Sequence, residues 1–106
     1  QRYGMVLGVK PEKLAEYKRL HAAVWPEVLE ILKSIHIRNY TIFQKDDLLF
    51  GYFEYHGSDI AADFRHMNAQ PVIKRWYAEC EPCQTPLATR QEGEWWAHME
   101  PVFHMD

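Results

Sequence analysis

The chain has 106 residues, 47% of them hydrophobic, and 12 basic against 15 acidic side chains give it a net charge of −3. That length supports one small globular domain with a single core, and the dispersed Lys and Arg form no basic stripe for a phosphate backbone, so nucleic acid is not expected as a partner. No apolar run approaches the roughly 20 residues that span a bilayer, and the opening QRYGMVLGVK lacks a secretory pattern, which gives the expectation of a soluble cytoplasmic protein without membrane attachment.

In chain order, residues 3–9 alternate Tyr3, Met5, Leu7 and Val9 with Gly4, Val6 and Gly8, as a strand does. Pro11 suits a first helical position, and Glu12 and Glu16 suit a helix start. An apolar stripe at spacings of three and four then runs through Leu14, Tyr17, His21, Val24, Val28, Leu32 and Ile35. Pro26 removes one intrahelical hydrogen bond and crowds the preceding turn, so a kink or a restart is expected near Trp25. Two strands follow, NYTIFQ (39–44) and DLLFGYFEY (47–55), with Lys45, Asp46 and Asp47 as the hairpin turn. Ser58 is a plausible N-cap for IAADFRHM (60–67), and Pro71 opens a helix through VIKRWYAEC. Residues 81–94, with two prolines, a glycine and no period, read as a loop, and WWAHMEPVFHM (95–105) reads as a last strand.

Strand, helix, strand, strand, helix, strand is the order of the ferredoxin-like split pattern, an α+β antiparallel sheet with helices on one face. The third strand is apolar on both faces, with Leu48, Phe50 and Tyr52 one way and Leu49, Phe53 and Tyr55 the other. One helical layer covers only one of these faces. The expectation is a homodimer whose sheets pack face to face as a dimeric α+β barrel.

Tyr17 and His21 sit one helical turn apart and stack on a common face. Histidine gives and takes protons near neutrality, and a phenol beside it can orient a hydroxyl, so the pair is a candidate acid/base unit. On spacing alone, a satisfied core histidine beside a tethered tyrosine is the commoner outcome. The aromatic supply points the other way: Tyr40 lies mid-strand, Trp76 and Tyr77 lie near a helix end, and rings with a polar edge suit a sugar. Trp25, Trp95 and Trp96 divide evenly between pocket and core or interface. Cys80 and Cys83 have CxxC spacing, but no second ligand pair accompanies them and they follow a helix, where a thioredoxin-like motif would open one. Neither zinc nor redox chemistry is expected from them, and His98 and His104 read as rim residues. Motifs for nucleotide binding and serine hydrolysis are missing. The residues alone therefore describe a cleft for proton transfer on a small neutral molecule, with no cofactor.

The stretches EYKRLHAAVWPEV, NYTIF, LLFGYFE, IKRWYAE and EPVFHM together resemble the L-rhamnose mutarotase family, in the same order along nearly the whole chain. The resemblance implies the dimeric ferredoxin-like barrel and a cofactor-free isomerase that interconverts α and β anomers of L-rhamnose. It places the catalytic histidine on His21, sugar-binding tyrosines on Tyr17 and Tyr40, and the family's paired tryptophans on Trp76 and Tyr77. Tyr77 departs from that pattern, as does Glu81-Pro82-Cys83-Gln84-Thr85-Pro86 where the family runs Asn, Pro, Asp, Asn, Ser, Pro. L-fucose is accordingly the next sugar to consider. The expected chemistry has His21 protonate the ring oxygen while a second group or water takes the anomeric proton, with roles reversed on closure. A cofactor-free monooxygenase of the same barrel and a non-catalytic ligand-binding module are the competing readings.

Overall fold

A computed structural model describes residues 1–106. In chain order it contains β1 (Arg2–Val9), a 3-10 turn at Pro11–Lys13, α1 (Leu14–Ala22), α2 (Pro26–Ser34), β2 (Ile37–Lys45), β3 (Leu48–Tyr55), α3 (Ile60–Asn68), α4 (Pro71–Cys80), a 3-10 turn at Glu81–Cys83, β4 (Gln84–Thr85) and β5 (Ala97–Met99). The sheet is antiparallel in the order β2-β3-β1-β4, with β5 sharing the far edge of β1. It forms the curled half-barrel of an α+β fold, with four helices.

Cross-strand register explains which residues face the helices. Tyr3 lies opposite Phe53, Met5 opposite Gly51 and Leu7 opposite Leu49, so the alternating set of β1 meets the buried set of β3. Met5, Ile37, Phe53 and Tyr55 from this face join Leu20, Val28, Met67, Ile73, Trp76 and Cys80 from the four helices in one core. Gly51 lies where β3 passes under this core: a Cβ there would stand 2.9 Å from Met5 Cε and 3.3 Å from the Trp96 ring. The opposite face carries Val6 against Phe50, and Phe43 also against Phe50, and Phe43 is 63% exposed.

Several boundaries differ from expectation, each for a local reason. The stripe from Leu14 to Ile35 is two helices, because Trp25 takes the extended backbone that a following proline imposes and Pro26 becomes the first residue of α2. Asp59, not Ser58, caps α3, its carboxylate accepting from the Ala62 N–H at 3.1 Å. Lys45 belongs to β2, leaving Asp46 and Asp47 to turn the chain, Asp46 at φ 54°. Part of the expected loop pairs with β1 as β4, Val9 opposite Gln84. The last strand is shorter than expected: only Ala97–Met99 pairs, and Pro101, which has no N–H to give a ladder, lies two residues beyond its end.

Candidate functional site

All five residues singled out in the sequence line one cavity of about 570 Å³ between the sheet and the helices: Tyr17, His21, Tyr40, Trp76 and Tyr77. On α1, the one-turn spacing stacks the Tyr17 and His21 rings at 4.1 Å between centroids and 23° between planes. His21 Nδ1 lies 3.0 Å from the Tyr17 carbonyl. A carbonyl only accepts, so Nδ1 carries the proton and Nε2 is the nitrogen left with a free lone pair. Trp76 from α4 meets His21 edge-on at 5.3 Å and is itself braced edge-on by Trp25 at 5.1 Å. The tryptophan before Pro26 is thus a buttress for the wall of the cavity.

Tyr40 reaches the cavity through an irregularity in β2. Arg38 lies opposite Glu54 and Thr41 opposite Tyr52, so three steps on β2 match two on β3. The extra residue is a bulge, and Asn39 within it has φ 52°, a left-handed conformation that asparagine tolerates better than most side chains. Two residues three apart cannot share a face of a regular strand, yet the bulge lets Ile37 enter the core while Tyr40 packs on Phe53 at 5.6 Å. Asn39 Nδ2 donates to Glu54 Oε1 at 3.0 Å and ties the bulge to the neighbouring strand.

The cavity favours uncharged groups. Burial pushes the Tyr17 phenol well above the ordinary value; desolvation at the cavity wall pushes the Tyr40 phenol the same way and the Tyr77 phenol up to about 12, with Glu81 adding to the latter, although Tyr40 and Tyr77 as whole residues remain 38% and 37% exposed. Burial likewise raises the Cys80 thiol to about 12. Burial lowers the His21 imidazole, with its bond to the Tyr17 carbonyl opposing in part. At neutral pH the site therefore holds three protonated phenols and a neutral imidazole. The carboxylates of Glu81 and Glu94 also line it. A second cleft of about 350 Å³, between α1 and β2, touches Tyr17 and His21 from another side.

Gln84, Trp95 and Trp96 are among the lining residues that were not selected as site residues from the sequence. Trp95 and Trp96 both border the cavity, and Trp95 Nε1–H donates to Gln84 Oε1 at 2.8 Å. Gln84 is buried although it lies in a polar stretch, because β4 pairing draws it under the sheet edge. Its burial depends on contacts distant in sequence; the adjacent tryptophans after a glycine were the only local sign. Of the two rim histidines, His98 lines the cavity and meets Tyr3 edge-on at 6.3 Å, whereas His104 lies in the exposed tail against Asp106. Cys80 and Cys83 are buried free thiols, and no group of three or more His, Cys, Asp and Glu side chains gathers to hold a metal ion.

Comparison with known proteins places this geometry. The family model described as L-rhamnose mutarotase matches residues 2–105. A similar relative is the L-rhamnose mutarotase of Mesorhizobium japonicum, 29% identical over 99% of this chain and 97% of its own. Among solved structures, an L-rhamnose mutarotase from Formosa agariphila superposes with a TM-score of 0.78 at 21% identity, covering 100% of this chain and 99% of its own. Tetracenomycin F2 cyclase from Streptomyces glaucescens, a type-II polyketide cyclase, shares the fold at a TM-score of 0.75 and 20% identity, covering 100% and 97%. Fold alone therefore does not select a chemistry, but the sequence match along nearly the whole length does: the chain belongs to the L-rhamnose mutarotase family, a family of isomerases.

Proposed function

We propose that this protein interconverts the α and β anomers of a 6-deoxy hexose, L-rhamnose first and L-fucose next, with His21 as the proton-transfer residue. The observation that carries the reading is the hydrogen bond of His21: Nδ1 is tied to the Tyr17 carbonyl, and the ring lies at an aromatic cavity with Nε2 left to act. Mutarotation opens the sugar ring, turns the aldehyde about C1–C2 and closes on the other face, which requires one proton removed and one delivered. A neutral imidazole begins as a base, so Nε2 takes the anomeric hydroxyl proton while water or a neighbouring hydroxyl protonates the ring oxygen. Closure runs these transfers backwards. The opposite start, with His21 as the acid on the ring oxygen, needs an imidazolium that burial disfavours.

Tyr17, Tyr40 and Tyr77 offer phenolic hydroxyls to the sugar rim, and Trp76 offers an apolar face to its C–H groups and methyl. A cavity of about 570 Å³ falls within the usual range for small-molecule sites. Positioned acid–base help contributes roughly 10²–10⁴ in rate, which suits a reaction that already proceeds in water. The functional unit we infer is a single-domain chain paired as a homodimer through the uncovered sheet face, acting in the cytoplasm, where two free thiols persist.

The test is saturation-difference NMR of anomeric protons across L-rhamnose, L-fucose and common hexoses. The expected result is catalysed exchange greatest for L-rhamnose, then L-fucose. Sugar binding without exchange supports a binding module, and oxygen uptake with an aromatic substrate in place of exchange supports a monooxygenase; either overturns the reading.

A further inference from the structure

Gln84 is the one polar side chain, aromatic rings and thiols aside, that the fold buries, at 7% exposure. A primary amide carries a carbonyl oxygen and two N–H donors, and burying it is unfavourable unless those groups find partners. The backbone nevertheless holds it inside: β4 pairs Gln84 with Val9, and the Lys10 N–H donates to the Cys83 carbonyl at 2.8 Å. The orientation of the amide follows from its partner. Indole N–H is a donor only, so the atom 2.8 Å from Trp95 Nε1 is the carbonyl oxygen Oε1, and the –NH₂ is the other arm of the fork. The Trp95 bond is the one hydrogen bond this side chain makes. No sealed side-chain nitrogen or oxygen in the molecule lacks a partner, so Nε2 is not sealed. It opens onto the space that Gln84 lines, the cavity of Tyr17 and His21.

We propose that Gln84 is a further sugar-binding residue: clamped through Oε1 by the Trp95 indole, it donates an amide N–H from Nε2 to one hydroxyl oxygen of the bound sugar. The identity of the ligand rests on the mutarotase reading. The phenols around the cavity can both give and accept a hydrogen bond, and the carboxylates of Glu81 and Glu94 only accept, whereas an amide nitrogen only gives. Gln84 therefore marks a place where the sugar must present a lone pair, and an analogue without an oxygen there leaves a buried donor unpaired. Trp95 belongs to no strand, so its bond to Gln84 closes the base of the segment between β4 and β5. That segment acts on sugar selection through the orientation it gives the amide.

Two measurements test this. The first follows the Gln84 side-chain –NH₂ signals of the wild-type protein by ¹H–¹⁵N NMR during titration with L-rhamnose, the signals being those lost in Gln84→Met. A saturable shift that tracks sugar occupancy is expected; signals unmoved at saturation overturn the proposal. The second uses Gln84→Glu, which keeps an acceptor for Trp95 and replaces the donor nitrogen with an acceptor oxygen. The expected result is a KM for anomer exchange raised about tenfold with kcat within about twofold. A KM within about twofold of wild type overturns the contact. A general disturbance of the fold weakens every sugar alike, whereas a contact to one hydroxyl predicts that the loss disappears for the single monodeoxy L-rhamnose lacking that hydroxyl; a uniform loss across the monodeoxy series overturns the proposal. Wild-type protein that shifts its amide on binding sugar yet catalyses no exchange defeats the mutarotase reading and leaves the contact standing. Exchange with an unmoved amide does the reverse, and absence of sugar binding defeats both.

Discussion

His21 combines two features that oppose each other in most proteins, a half-buried ring and a free basic nitrogen. The helix resolves the conflict, since the carbonyl one turn back satisfies Nδ1 and leaves Nε2 for chemistry. Burial lowers its pKa below the ordinary 6.5. The rate of anomer exchange is accordingly expected to be flat through neutral pH and to fall on the acid side, with a midpoint below about 6.5; a midpoint above 7 contradicts the neutral-base assignment. The same shift affects stability. An unfolded chain binds this proton at a higher pH than the folded one, so the contribution is full above about 6.5 and is lost as pH falls through the lowered folded value. Tyr17 and His21 were legible because a one-turn spacing on an apolar stripe is local information. Gln84 and Trp95 were not, because a polar glutamine becomes buried only when β4 reaches β1 across most of the chain.

At the scale of elements, most strands and helices follow from alternation and from three-four spacing, while the devices that shape the cavity escape such rules. The bulge at Asn39 inverts the facing of everything before it in β2, and a strict two-residue alternation would have sent either Ile37 or Tyr40 to the wrong side. The restart at Pro26 was readable from proline chemistry, and it places Trp25 between the helices as the brace for Trp76. Gly51 shows how closely strand and site are joined. Gly51→Ala drives a methyl group into the Met5 side chain and the Trp96 ring, and overpacking of this kind costs about 1–3 kcal/mol. The expected outcome is a Tm lowered by several degrees together with weaker sugar binding, read by calorimetry and titration; an unchanged Tm would show that the floor of the cavity yields freely.

The molecule as a whole has one sheet face covered by helices and one face without a cover, on which Val6, Phe43 and Phe50 form an apolar band. Face-to-face pairing of two copies would bury it. Light scattering on a sizing column is expected to give twice the 12.6 kDa chain mass at micromolar concentration, and Phe43→Glu is expected to shift the protein toward monomer. A wild-type monomer under those conditions contradicts the pairing. The apolar pattern of β3 made this need visible in the sequence, whereas the edge contributed by the two short strands β4 and β5 depends on distant partners and was not readable. Whether the chain catalyses mutarotation turns on one side chain. Anomer exchange of L-rhamnose by saturation-difference NMR, compared between wild type and a His21→Ala variant whose fold is verified by circular dichroism, tests it most directly: loss of roughly a hundredfold or more in catalysed exchange is the predicted result, and exchange near the wild-type rate would contradict it.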